Sequence, residues 1–286
     1  MHLAKFVSPT GAVEFGCIQK DLVHPLASRD PEIQTLQDIL ESDDPSALLS
    51  SLCKSVTETI ALDKVRLLPP IDQQEVWAAG VTYKRSKSAR MEESEAAASC
   101  YDRVYEAERP EIFFKANPHR VVGPDQTIKV RKDSQWNVPE PELTVVINSK
   151  HKVVGYTVGN DVSSRDIEGE NPLYLPQAKV YDGSCALGPW ITLSSVIANP
   201  QSLAIALKVA RGEATIYEGS TSTSQMARSV EDLVDWLGRE NSFPNGTFLM
   251  TGTGIVPDSS FSLAPGDTVQ IDIEHIGSLT NPVVST

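Results

Sequence analysis

Residues 139–161 read PEPELTVVINSKHKVVGYTVGND. Two apolar runs rich in β-branched residues, ELTVVI and KVVGYTVG, flank the turn-forming Asn148-Ser149-Lys150, so the stretch reads as an antiparallel hairpin. Side chains alternate along a strand, which points Glu140 and Glu142 the same way. Asp161 closes the return strand, and a return strand of similar length carries its far end back beside the start of the first. Three carboxylates then converge on one point with no matching cluster of bases. Such an all-oxygen set suits a hard divalent cation, Mg2+ or Mn2+. Zinc fits less well, because no His or Cys spacing accompanies the acids. A solvated strand end would carry the same residues, and spacing alone leaves both readings open.

Outward from the hairpin, short strands alternate with Gly, Pro, Asn and Asp turns from about residue 120 to the C-terminus, the rhythm of a β-sheet or barrel core. The chain has 286 residues and 19 prolines, so a mainly β α+β fold with a large core is expected. Residues 1–70 read as a small N-terminal α+β domain and 71–286 as the main domain, with Pro69 and Pro70 at the boundary. The first part holds a hairpin with its tip at Pro9-Thr10-Gly11 and two helical stretches, one opened by Asp30-Pro31 and one by Asp44-Pro45. The main part begins with the strand EVWAAGVTY (75–83), a long helical stretch over about 87–108 and the strand EIFFKA (111–116). A capped helix starts at Ser229, with Leu233, Trp236 and Leu237 on one face. Strands FLMTGTGIV and DTVQIDIEHIG close the chain, joined by the turn Ala264-Pro265-Gly266.

A formal net charge of −13 with no offsetting basic patch argues against nucleic-acid and anionic-membrane partners. A small anionic substrate remains compatible, since a bound cation reverses the local sign. No apolar run reaches membrane-spanning length and the N-terminus lacks a signal pattern. Cys17, Cys53, Cys100 and Cys185 are scattered without framework spacing, which fits reduced thiols and a cytoplasmic location.

Two further stretches carry chemistry. The polar, turn-rich SSRDIEGENPLYLPQAKVYDGSCALGPW (163–190) follows the carboxylates and contains Lys179, a base or a cation for developing negative charge if it faces the site, a surface lysine if it does not. Arg165 and Asp166 in the same stretch read equally as a pair that fastens the loop. In TGTGIVPD (251–258), glycines around Thr251 and Thr253 let backbone approach a ligand closely, although such a stretch is also an ordinary tight turn.

Taken in order, PEPELTVVI, GYTVGNDVSSRD, QAKVYDGSCALGPW and TGTGIVP make the chain resemble the fumarylacetoacetate hydrolase superfamily over roughly residues 70–280. The resemblance implies a mixed β-roll core, a divalent metal usually taken as Mg2+ with Mn2+ as the alternative, and a homodimer or homotetramer. It implies Glu140, Glu142 and Asp161 as metal ligands, Lys179 as the active-site lysine, and Thr251, Gly252 and Thr253 as the substrate-side turn.

One departure bears on the reaction. Hydrolases of this family typically carry G-x-N-Y-x-x-H-x-x-E, whose His and Glu help activate water; here GVTYKRSKSA aligns Gly80, Thr82 and Tyr83 but places Ser86 and Ala89 at the His and Glu positions. Neither is an efficient general base at neutral pH. The stretches YDRVYEAERPEIFFKAN, ENPLYLPQAK and YDGSCALGP are instead similar to the sugar-acid branch of the family, the 2-keto-3-deoxy-D-arabinonate dehydratases. That resemblance implies Mg2+-dependent dehydration of a 2-keto-3-deoxypentonate to 2,5-dioxopentanoate through an enolate of the 2-oxoacid. Arg85, with Lys84 beside it, is then the candidate for the substrate carboxylate, and Glu111 and Lys115 lie on a stretch that faces the substrate. The alternatives are a hydrolase of acylpyruvate or fumarylacetoacetate type, and a non-catalytic metal-dependent 2-oxoacid binding protein.

Overall fold

The structure, a computed structural model, describes residues 1–26, 31–83 and 103–286. Strands β1 (His2–Val7), β2 (Val13–Gln19) and β3 (Leu22–Pro25) are followed by helices α1 (Leu36–Leu40) and α2 (Pro45–Ser55), then by β4 (Ile60–Ala61) and β5 (Arg66–Leu68). Strands β6 (Glu75–Gly80), β7 (Glu111–Ala116), β8 (Val121–Val122), β9 (Ile128–Val130) and β10 (Asn137–Val138) lead to the central hairpin, β11 (Pro141–Ile147) and β12 (Val153–Asp161). After it come β13 (Ser163–Ser164), α3 (Arg165–Glu170), α4 (Leu175–Lys179), β14 (Cys185–Leu193), β15 (Ala204–Arg211) and β16 (Ala214–Ser222). Helix α5 (Val230–Gly238) and strands β17 (Thr247–Met250), β18 (Asp267–Ile273) and β19 (Gly277–Ser285) complete the order.

A mixed 12-stranded sheet runs β4-β3-β2-β1-β14-β12-β11-β17-β6-β7, with β5 paired to β1 and β8 to β14; a 5-stranded sheet runs β16-β15-β18-β19-β9. Together with the few short helices, these sheets give the mainly β α+β architecture that the sequence rhythm and the family resemblance led us to expect. Strand β11 sits between β12 and β17, in the middle of the large sheet. Its Leu143, Val145 and Ile147 pack against Ile205, Leu207, Val269 and Ile271 of the smaller sheet and Leu233 and Leu237 of α5. On the opposite face Val146 joins Phe248, Met250, Val76, Leu3, Phe15 and Leu49. Burial on both faces is why TVVI is continuously apolar rather than alternating. Each such side chain contributes roughly 1.5–3 kcal/mol when fully buried.

The hairpin turn spans Asn148–Lys152: the Asn148 amide donates to Lys152 O at 3.0 Å, and Asn148 Oδ1 accepts from the amides of Lys150 and Lys152 at 3.1 and 3.0 Å. This side-chain mimicry of a backbone turn is the reason for an asparagine there. The hairpin tip at residues 9–11 and the Ser229 cap are found where expected; Ser229 accepts from the Asp232 amide.

Some element limits differ from the sequence reading. The helix expected after Asp30-Pro31 is confined to Leu36–Leu40, because Thr35 and Asp38 form a capping box that sets the start five residues later. The expected strand FLMTGTGIV ends at Met250, since the chain turns at Gly252, whose φ is +86°. The strand DTVQIDIEHIG ends at Ile273 and reverses through His275, with a φ of +62°. Most of the helix expected over 87–108 lies outside the described residues, as do Lys84, Arg85, Ser86, Ala89 and Cys100. Among the described residues no helix is long and apolar enough to cross a membrane.

The first 70 residues are tied to the rest through β1, which pairs with β14 at His2↔Thr192 and Leu3↔Ile191. Leu3 is wholly buried in the cluster that also contains Val146 of β11. Leu3→Ala is therefore expected to cost about 2–5 kcal/mol and to lower one cooperative unfolding transition followed by both tryptophan fluorescence and far-UV circular dichroism. Two separated transitions would show that the N-terminal region unfolds by itself.

Candidate active site

Register places the acids. Glu142 pairs with Gly159 and Pro141 with Asn160 across the hairpin, and the Asp161 amide donates to Glu140 O at 3.0 Å, extending the ladder one residue beyond β11. Glu140 and Asp161 thus stand opposite each other at the strand ends, two residues along from Glu142 on the same face. The three carboxylates are buried and offer ligand oxygens within 4.8 Å of one another. A solvated strand end is excluded by this burial.

Charged partners arrive from elements remote in sequence. Lys179, the last residue of α4, donates from Nζ to Glu140 Oε2 at 2.9 Å, Asp161 Oδ2 at 3.0 Å and Ser163 Oγ at 2.6 Å. Arg165, at the start of α3, donates from Nη2 to Glu140 Oε1 at 2.8 Å. Its backbone is pinned by a 2.7 Å bond from its amide to Trp136 O, while Asp166 turns away to Ser134 Oγ and the Gln135 amide. Lys115 of β7 forms an ion pair with Asp161 Oδ1 and donates to Val162 O at 3.1 Å and Lys179 O at 2.6 Å. Three buried carboxylates therefore face three buried cations, Lys115, Lys179 and Arg165.

Compensation is uneven. Glu140 and Asp161 touch cations directly, whereas Glu142 accepts from the Gly252 amide at 2.6 Å. Burial, followed by the charges of Asp161 and Glu140, pushes the Glu142 carboxyl well above its ordinary value of 4.5. A divalent ion beside it reverses this by favouring the ionised form, so the donor set and its charge deficit both fit a hard cation.

The turn after β17 is built around that amide. Gly252 has a positive φ, and a Cβ on it would lie 2.0 Å from Thr82 Oγ1. Thr82 Oγ1 in turn donates to Thr251 O at 2.6 Å, so strand β6 reaches the site through this contact. Thr251 donates from its hydroxyl and its amide to Leu143 O at 2.8 and 3.1 Å, and the Thr253 hydroxyl is engaged with Ile255. The polar groups of this turn largely hold Glu142 and the end of β11. Arg85 falls outside the described residues.

On β7, Glu111 and Phe113 share one face by their spacing of two, and Lys115, at the register shift of β7 against β6, reaches the same site. Lys115 meets Asp161, and the Phe113 ring lies 5.6 Å from Lys179 Nζ. Glu111 is the next position along that face and is half-buried. Its carboxylate folds over the facing strand: a Cβ at Gly80 would sit 1.9 Å from Glu111 Oε2. The i, i+2 pattern Glu-x-Phe was the sequence signal for this face. Nothing local announced that Arg165 would reach Glu140.

Glu142→Ala removes one ligand and is expected to weaken Mg2+ binding by at least about 100-fold, read by calorimetry on protein whose circular dichroism is unchanged. Because Glu142 must give up a proton to bind a cation, Mg2+ affinity should climb as pH rises from 4.5 towards its raised value, by up to roughly tenfold per unit. Above that value the affinity levels off. Proton release on Mg2+ binding, measured in buffers of different ionisation heat, reports the same event; affinity independent of pH above 4.5 would contradict it.

Comparison with known proteins agrees with this geometry. The fumarylacetoacetate hydrolase C-terminal family matches residues 75–284. The 2-dehydro-3-deoxy-D-arabinonate dehydratase of Saccharolobus solfataricus is 47% identical over 80% of this chain and 78% of its own. A probable 2-keto-3-deoxyxylonate dehydratase of Haloferax volcanii is 50% identical over 76% of this chain and 74% of its own. A solved structure of 2-keto-3-deoxy-D-arabinonate dehydratase complexed with magnesium and 2,5-dioxopentanoate superposes with a TM-score of 0.83 at 39% identity, over 100% of this chain and 99% of that one. With a fold, a triad-bearing hairpin and a sequence match that coincide over the same residues, the chain belongs to the fumarylacetoacetate hydrolase family.

Proposed function

We propose that this protein is a Mg2+-dependent hydro-lyase that converts a 2-keto-3-deoxypentonate to 2,5-dioxopentanoate and water. The observation that carries the reading is the buried triad Glu140, Glu142 and Asp161 in a chain that superposes along its whole length on a dehydratase holding magnesium and that product. A bound Mg2+ supplies Lewis-acid polarisation of the 2-oxo group.

The chain's own residues account for the rest. Lys179 donates all its N–H bonds to acceptors, so it serves as a fixed ammonium beside the developing enolate rather than as a base. Glu111, at the open end of the β7 face, is the carboxylate that takes the C3 proton. The C3–H electron pair forms the enolate; its collapse makes C3=C4 and expels the C4 hydroxyl, which leaves as water with the proton from Glu111. Loss of a C5 proton and protonation at C3 then give the enol of the C5 aldehyde, which tautomerises to 2,5-dioxopentanoate. Arg85, Thr251, Gly252 and Thr253 belong to the proposal as the substrate side of the pocket, Gly252 acting through Glu142 and the two threonines through the shape of the turn. A homodimer or homotetramer, as the family resemblance implies, and a cytoplasmic location, in keeping with the buried free thiols Cys17, Cys53 and Cys185, complete the reading.

The test is an assay with Mg2+ and 2-keto-3-deoxypentonates, trapping 2,5-dioxopentanoate with an aldehyde dehydrogenase. Aldehyde formation lost with EDTA is expected. Lys179→Met should lower kcat by about 10²–10³, and Glu111→Gln by about 10²–10⁴. Pyruvate released from an acylpyruvate, without aldehyde from any sugar acid, would instead support the hydrolase alternative. Metal-dependent binding of a 2-oxoacid with no turnover would support the binding-protein alternative.

A further inference from the structure

Lys115 is one of the largest wholly buried side chains in the protein, and its ammonium has no route to solvent. It donates to Val162 O and Lys179 O and forms an ion pair with the Asp161 carboxylate. Buried among these groups, the ammonium serves as a fixed charge. It joins three elements, since β7 provides the lysine, the end of β12 and the residue after it provide Asp161 and Val162, and the C-terminus of α4 provides the Lys179 carbonyl. The same carbonyl accepts from Ser184 Oγ at 2.8 Å, so the backbone that carries Lys179 is clamped from two sides.

Its charge matters as much as its bonds. Among the described residues Lys115, Lys179 and Arg165 contact the triad carboxylates, and Lys115 sets one fixed positive charge against Asp161. A 2-oxoacid carries one negative charge in its keto form and gains a second when its ketone becomes an enolate. A fixed positive charge beside the site therefore favours the enolate over the keto form. Removing Lys115 takes that preference away, together with a repulsion of the divalent ion. Interactions that strengthen only as the enolate forms accelerate the reaction, whereas equal binding of both forms does not.

We propose that Lys115 is a positioning residue whose fixed positive charge favours a dianionic enolate over the keto form and which holds Asp161 and Lys179 in register, at the cost of weaker binding of the divalent ion. The enolate half of this statement rests on the dehydratase reading; the effect on the ion does not.

Two variants of the full-length protein test it, Lys115→Met and Lys115→Arg. In calorimetry at one pH for all proteins, with Mg2+ as the probe and no substrate, Lys115→Met should bind the ion at least about tenfold more tightly because a nearby repulsive charge is gone. Lys115→Arg should stay near the parent protein. In the presence of Mg2+, the preference for oxalate, a dianion that resembles the enolate, over the monoanion oxamate should fall by about tenfold in Lys115→Met and be restored in Lys115→Arg. A role in bracing the fold alone would weaken Mg2+ binding and leave the oxalate to oxamate ratio unchanged, and that result overturns the proposal. If Lys115→Met does not fold, Lys115→Gln, which keeps a donor for the carbonyls but not the charge, carries the same measurements with the same expected and contrary results. Absence of aldehyde formation by the parent protein, with tighter Mg2+ binding in the variant, would remove the dehydratase reading and leave the assignment of Lys115 to the ion's affinity intact.

Discussion

Burying three carboxylates at one strand end is the constraint around which the rest of the structure is arranged. Taking an uncompensated charge out of water costs several kcal/mol even after relaxation, so each acid needs a partner fixed by the fold. The central hairpin supplies the acids, but it cannot supply the cations. Strand β7 brings Lys115, α3 brings Arg165, α4 brings Lys179, and the turn after β17 brings the Gly252 amide. Each of these elements is pinned beside the hairpin by a bond to a backbone carbonyl: Arg165 N to Trp136 O, Lys115 Nζ to the Val162 and Lys179 carbonyls, and Thr251 N to Leu143 O. The two-sided burial of β11 makes the platform rigid enough to hold this geometry.

The unequal treatment of the acids has a chemical logic. Glu140 and Asp161 are neutralised by protein cations, whereas among the described residues Glu142 has the Gly252 amide as its hydrogen-bond donor. A divalent ion is the natural remedy for that deficit, and it places the positive charge where a chelating 2-oxoacid presents its two oxygens. Preorganised charge of this kind acts most strongly in a site from which water is excluded. Ammonium and guanidinium groups locked by several hydrogen bonds are suited to that role, since they need no reorganisation while the substrate's charge changes.

Much of this was legible in the sequence, and the particulars show why. TVVINSKHKVVGYTVG announced a hairpin because β-branched runs and an Asn turn have few other uses, and strand alternation then carried Glu140, Glu142 and Asp161 together. Lys179 entered through the family resemblance, since its place in a polar loop reads equally as a surface lysine. What local rules could not supply were contacts between distant elements. Arg165 looked free to pair with Asp166, its neighbour, yet it reaches across to Glu140. The hydroxyls of Thr251 and Thr253 looked available to a ligand, whereas the chain uses them on Leu143 and Ile255. The start of α1 was misplaced because Pro31 fits the first turn of a helix as well as Thr35 fits a cap, and the capping box decided between them.

The central claim, that Glu140, Glu142 and Asp161 jointly hold one divalent ion, is tested most directly by anomalous diffraction from crystals grown with Mn2+ and oxalate. The account predicts a single strong manganese peak within coordination distance of all three carboxylates, with oxalate completing the shell. A peak elsewhere on the protein, or none at the triad while oxalate is held by Lys179 and its neighbours alone, would contradict it.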